Sequence, residues 1–495
     1  MSILAKRIPR RLWDTVLHTR AALLALAILA PVDVQALPAF ARQTGQNCVA
    51  CHAGGQFPEL TPYGRMFKLT GYTIGARAVP LAVMGIINYA KVADTAKSDD
   101  PGADFQKNGT PVFSSASLFI AGKVTDNIGA FTQLTYDNYA SQDANGKFHG
   151  HTSADNMDFR YADRFIDGSG DLIVGISVNN NPSVTDPWNS AAAWMQYVPA
   201  ASLSSHQFSD ANTPYPGFDS GGNIAGVNAY LFWNKTLYAE LGAYKTANRG
   251  LSFMAYGVDD HPRLKGSNPY WRLALTREWG AHNIMVGTSG MIAHKYDSGS
   301  DTSDPNNVSR SKNTGIDAQY QYLLDPHTVT AQVAYMRQAE NHSANTIAGA
   351  ESPFFLADGV TPVAAANPSD TTKLFRAKLS YIYQAKYGGS VAFFNETGTT
   401  NTLNQTSGYD SNGQITSTDP LATGIASTRV SGNLSGNPAT RGMTYELFWT
   451  PIQYVRIGAQ YTSYSKFNGA ASNYDGFGRN AKDNNTLFCY LWFAY

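Results

Sequence analysis

The chain has 495 residues in which 37 Lys and Arg balance 37 Asp and Glu; 15% of residues are charged and 12% aromatic, with 28 Tyr, 24 Phe and three Cys. The charge content lies well below the roughly 25% of soluble domains, and zero net charge excludes the basic face that a nucleic-acid binder needs. The aromatic content excludes a disordered chain, and three cysteines are too few for a disulfide scaffold.

Residues 1–36 read as a secretory signal. Lys6, Arg7, Arg10, Arg11 and Arg20 precede the apolar run Ala21–Val32, which is too short to span a bilayer as a helix, and Val34-Gln35-Ala36 offers small residues for cleavage. No later segment is continuously apolar for 18 residues, so helical membrane spans are not expected, while strand-based ones remain open.

Residues 37–79 carry the chemistry. Cys48-Val49-Ala50-Cys51-His52 is the pattern in which two thiols attach a haem and the adjacent His ligates its iron. A zinc site would need about four ligands, and no second Cys pair supplies them; a redox dithiol fits the following His less well. Thr61-Pro62 predicts an N-cap and first helical residue, with Gly71 as the terminator of a helix of about two turns. On that helix Tyr63, Met66 and Phe67 share one side, which makes Met66 either the second axial ligand or an ordinary core methionine. Arg65 and Lys68 are either partners of haem propionates or surface charges. Met336, His282 and His327 stay open as alternative second ligands. A segment this small cannot bury enough surface alone, so it must lean on the rest of the chain.

From Pro80 to Tyr495 the sequence alternates polar and apolar residues in segments of about ten, the signature of a membrane barrel. Trp271, Leu273, Leu275 and Trp279 oppose Arg272, Thr276 and Glu278; Met157, Phe159 and Tyr161 oppose Asp158, Arg160 and Arg164. Likewise Val329, Ala331, Val333 and Tyr335 oppose Thr330, Gln332, Met336 and Gln338, and Phe375, Leu379 and Tyr381 oppose Arg376 and Lys378. Sixteen such segments are predicted, joined by tight turns near Asp126-Asn127, Asp167-Gly168, Asn234-Lys235, Gly280-Ala281, Asp325-Pro326, Gln384-Ala385 and Pro451-Ile452, and by longer loops including 180–222 and 398–439. The last segment, Leu487, Cys489, Leu491, Phe493 and Tyr495, is an apolar stripe in which Cys489 faces lipid. The fold class is therefore mainly β: a 16-stranded antiparallel outer-membrane β-barrel with a small N-terminal α-helical haem c segment. A propeller of similar repeat length is the alternative, but its blades hold four shorter strands. Lumen-facing Asp158, Arg160, Glu240, Arg376 and Glu446 are expected to order a plug or to line a channel.

Phe40 to Gly45 before the haem motif, with Phe57 to Pro62, Gly64 and Arg65 after it, resembles the fused cytochrome-porin family of outer-membrane iron oxidases. Asn179 to Pro182 and Asp186 to Asn189, after the fifth strand, look like that family too. The specific match covers about a tenth of the chain. The resemblance implies one covalent haem c on Cys48 and Cys51 with His52 as proximal ligand, taking electrons from extracellular iron(II) and passing them to a periplasmic c-type cytochrome or similar carrier. An insoluble or external donor gives a physical reason to fuse a haem segment to a barrel in outer-membrane lipid. Oxygen ligands for a metal donor are sought at Asp99, Asp100 and Asp104 or at Asp301 and Asp304, where solvated loop charge is the simpler reading. Two alternatives remain: a haem-bearing porin for solute uptake, and a conduit serving another extracellular donor or acceptor.

Overall fold

The computed structural model describes residues 38–55, 59–94, 111–142, 148–168, 170–188, 224–247, 251–255, 263–297, 302–350, 366–404, 433–475 and 478–495. The signal segment 1–36, residues Phe57, Pro58 and Asn189, and the loop carboxylates Asp99, Asp100, Asp104 and Asp301 lie outside them.

Among the described residues, seventeen strands form one sheet. They are β1 Leu81–Val92, β2 Pro111–Lys123, β3 Ile128–Gln142, β4 Phe148–Asp167, β5 Gly170–Asn179, β6 Ile224–Trp233, β7 Leu237–Thr246, β8 Arg263–Leu264 and β9 Asn268–Trp279. The series continues with β10 His282–Tyr296, β11 Val308–Leu324, β12 His327–Asn341, β13 Ser369–Tyr383, β14 Tyr387–Gly398, β15 Thr440–Ile452, β16 Val455–Lys466 and β17 Thr486–Ala494. The two-residue β8 is a rim bridge to β10, which leaves sixteen staves. Each stave pairs antiparallel with the next, and β1 closes the ring on β17 from Met84 opposite Ala494 to Val92 opposite Thr486. A single closed ring rules out the propeller.

The alternation read from the sequence sorts side chains as expected. Leu273, Leu275, Leu379, Tyr381, Leu447 and Phe493 are exposed on the outside, whereas Asp158, Arg160, Arg272, Gln321 and Arg376 are buried on the inside. Period two forces this, because successive side chains leave opposite faces of a strand. A closed sheet satisfies every backbone group without an edge, and its apolar outer belt suits hydrocarbon. The chain is a porin-like β-barrel of the bacterial outer membrane. Short turns mark the periplasmic end and long connectors the outer end.

Six of the seven tight turns fall where the sequence puts them. The seventh sits at Gln453-Tyr454, not at Pro451-Ile452: β15 runs on through Pro451, at an irregularity between Trp449 and Ile452. Proline has no N–H to give the ladder, so it is tolerated at such a bulge.

Candidate functional site in the barrel lumen

Among the described residues, three short α-helices precede the barrel: α1 Pro38–Thr44, α2 Cys48–Cys51 and α3 Pro62–Leu69. Cys48 and Cys51 are the first and last residues of α2, so both side chains leave one face of the turn. His52 caps it, its N–H donating to the Cys48 carbonyl at 2.9 Å, and forms a backbone bridge with Leu60. The chain reverses at Gly54 and Gly55, whose φ values of 72° and 82° favour glycine. α3 starts as predicted: Thr61 Oγ1 accepts from the Gly64 N–H at 3.1 Å, Pro62 opens the helix, and Gly71 follows its end at φ 72°.

No disulfide joins the cysteines. Burial pushes the Cys51 thiol up to about 11. Burial lowers His52 to about 4, partly opposed by the Glu59 carboxylate. Two thiols on one face, followed by an imidazole that is neutral at pH 7, make a donor set that fits covalent haem c.

The segment is held on all sides by the inner wall. The Cys48 thiol lies 3.4 Å from the Gln453 carbonyl in the β15–β16 turn, which places the motif at the short-turn, periplasmic end. Lys378 of β13 pairs with Glu59 at 2.8 Å. Arg65 donates to Asn283 of β10 at 2.7 Å and to Gln321 of β11 at 3.0 Å. Tyr230 of β6 donates to the Leu69 carbonyl at 2.8 Å, and the Tyr72 hydroxyl donates to Asp158 of β4 at 2.6 Å. Gln43 ties the segment to itself through the Tyr72 and Ile74 carbonyls and to β2 by accepting from the Lys123 N–H.

The connector after β5 also turns inward. Its short helix α4, Pro182–Thr185, is capped by Asn181, whose side chain accepts from the Ser183 N–H at 2.8 Å. Asp186 and Trp188 are fully buried. The Asp186 carbonyl accepts from Lys68 at 3.1 Å and its carboxylate meets Arg272 at 3.4 Å; Arg272 also pairs with Asp317 at 2.5 Å. The Trp188 ring lies near two guanidiniums, Arg65 at 5.8 Å and Arg272 at 5.9 Å, and meets Tyr238 in an edge-to-face contact. Arg160 reaches the Thr185 carbonyl at 3.0 Å. The connector thus clasps the helical segment against the wall.

Several expected roles change in this setting. Arg65 and Lys68 are not surface charges: both are buried and spend their donors on the wall and the clasp. Met66 is half-buried against the cluster of Leu69, Ile173, Trp188, Tyr238 and Met285. Gly64, two residues earlier and so about 200° round the helix, lies against the Cys51 carbonyl, whereas Met66 packs on the wall cluster. His282 and His327 are corrected as haem ligands: each lies on the outer face among aromatic residues, bonded to Tyr320 at 2.8 Å and Tyr381 at 2.9 Å. Met336 faces inward but stands eight residues beyond Thr328, which pairs with the Ile382 that touches Gly54; that is about 26 Å along the strand. Asp304 is occupied locally, accepting from the Asn306 N–H and from Asn345.

Among the lumen charges, Asp158 and Arg160 order the plug, Glu240 meets Asn228 and Tyr238 on the wall and Thr185 of the clasp, and Glu446 stays on the wall with Arg456, Ser390 and Tyr490. Tyr72, Gln43, Asp186 and Trp188 escaped prediction as docking residues. The likeness of residues 179–189 to the cytochrome-porin pattern was the one signal pointing to the clasp.

No family model matches the chain, and no curated protein matches it in sequence. Among solved structures it is similar to OmpF of Salmonella typhi in complex with daunomycin, at 9% identity over 84% of this chain and 97% of that one, TM-score 0.41. It is also similar to the outer membrane channel DcaP of Acinetobacter baumannii, at 12% identity over 84% and 96%, TM-score 0.38. The anion-selective porin from Comamonas acidovorans is similar at 10% identity over 84% and 99%, TM-score 0.37.

Proposed function

We propose that the chain works as an outer-membrane electron conduit, taking electrons from an extracellular donor such as iron(II) and delivering them to a periplasmic carrier such as a c-type cytochrome. The observation that carries this reading is the docking of the Cys48–His52 turn inside the periplasmic mouth, with the Cys48 thiol against Gln453 and Glu59 paired to Lys378. A segment built only to attach haem would not need to be encircled by the wall. Cys48 and Cys51 would hold the haem c and His52 would ligate its iron. When bound, haem c supplies one-electron oxidation and reduction. The rest belongs to this chain's residues: Arg65, Lys68 and Tyr72 fix the segment in depth and orientation, and the clasp at Asp186 and Trp188 packs beside it.

The closed sixteen-stave ring with a polar inner wall also supports a second reading, a porin for solute uptake in which the segment constricts the channel. One purified preparation separates the two. Its haem spectrum is recorded oxidised and then during anaerobic addition of iron(II), and single-channel conductance is measured in a planar bilayer. Covalent haem that is reduced rapidly, with no steady conductance, is the conduit result. Steady conductance with no covalent haem is the porin result. Haem that iron(II) leaves oxidised points to a different donor or to flow in the other direction.

A further inference from the structure

The inner wall beside the Cys48–His52 turn carries a patch of donors that the docking contacts do not exhaust. A β-carbon on Gly54 would strike Ile382, so the turn rests on β13 at that point. Four residues further from the short turn, about 13 Å along the strand, stands Lys378, with Gln332 of β12 opposite it in register and Gln319 of β11 opposite Gln332. Arg376 follows on the same inward face. Gln332 is 5% exposed and Arg376 1% exposed. Lys378 holds Glu59 with one of its three donors. Among the described residues nothing meets the Nε2 of Gln332, nor the Oε1 of Gln319 opposite it, and a buried polar group is costly unless a partner meets it. Two cations and an unanswered amide donor on one inward patch suit a planar anion with several acceptor lone pairs, which is the chemistry of a carboxylate.

We propose that Gln332, Arg376 and Lys378 form a carboxylate site on the inner wall, and that it receives a propionate of the haem held at Cys48 and Cys51. The site rests on the haem assignment above. The same chemistry would take a free carboxylate solute in the lumen, so the test separates the two sources.

The full-length protein in detergent is compared with Gln332→Met, Arg376→Gln and Arg376→Lys. Covalent haem is counted by its pyridine haemochrome, and folding is read from the heat-dependent gel shift of the barrel. The expected result is a haem-loaded set in which Arg376→Gln lowers the midpoint potential, because losing a cation beside the propionate favours the oxidised centre. Arg376→Lys restores the potential, and Gln332→Met shifts the propionate-bending band in the resonance Raman spectrum. If Arg376→Gln does not fold, Gln332→Met decides alone, an unchanged band overturning the site. Haem-loaded variants that all match the wild type in potential and band also overturn it. A wild type without covalent haem overturns the haem assignment first and this site with it. Finally, succinate is added to Cys48→Ser/Cys51→Ser: Arg376-dependent thermal stabilisation, with no Arg376 effect on the haem potential, assigns the patch to a lumenal solute and overturns the propionate assignment.

Discussion

Gly64 lies directly on the carbonyl of Cys51: a β-carbon there would stand 2.1 Å from that oxygen. The contact sets the distance between α3 and the turn that carries both thiols. Gly64→Ala must push the two apart, at a cost of about 1–3 kcal/mol for overpacking. The expected outcome is a folded barrel with a loosened segment, read as faster proteolysis between residues 38 and 79 at an unchanged heat-modified gel shift. Equal protease resistance would show that the contact is not a constraint.

The Tyr72 hydroxyl donates to a fully buried Asp158, which also meets Arg160 at 2.6 Å and Ser177 at 2.6 Å. Tyr72→Phe removes one charge-assisted bond and leaves the carboxylate two partners, so about 1.5–3 kcal/mol of docking stability is lost. Asp158→Ala is expected to cost more, because Arg160 is then left buried without its counter-charge. Urea midpoints of the segment, followed by Trp fluorescence, should rank wild type above Tyr72→Phe above Asp158→Ala.

Met66 packs on the wall cluster that contains Leu69 and Trp188. Met66→Leu is a volume-conserving change and should cost under about 1.5 kcal/mol. The oxidised haem spectrum is expected to keep its axial signature in this variant. Disappearance of a methionine-to-iron band would instead assign Met66 to the iron.

His282 and His327 sit on the outer face against Tyr320 and Tyr381. The variants His282→Phe and His327→Phe are expected to leave the haem spectrum and potential unchanged while altering how the barrel partitions at the lipid interface. A spectral change in either would contradict their outward placement.

Burial, chiefly, and the Arg160 charge lower Lys68 to about 8, against an ordinary value of 10.5. Between those two values the folded chain binds fewer protons than the unfolded one, so this residue's contribution to stability rises with pH across the window. That contribution is full above about 10.5 and is lost as pH falls through about 8. Lys68→Met should flatten the pH dependence of the urea midpoint between 8 and 10.5; an undiminished slope would place its origin elsewhere.

The sequence by itself determined the barrel and the motif. Period-two alternation such as Trp271 to Trp279 is a local property that fixes which side chain faces lipid, and Cys48-Val49-Ala50-Cys51-His52 needs only one helical turn to bring its thiols together. The helix Pro62–Leu69 was legible for the same reason, since its cap and terminator lie in the chain beside it. Only the tertiary structure decided the rest. Met66, which the sequence reads as iron ligand or core residue, is packed against the wall cluster of Leu69 and Trp188. His282 and His327 lay near the right turns, but the parity of β10 and β12 puts them outside the wall. Trp188 became a clasp through Arg65, Arg272 and Tyr238, residues between 50 and 123 positions away in sequence. Contacts over such separations depend on barrel closure, and no local period or spacing encodes which long connector will turn inward against the helical segment.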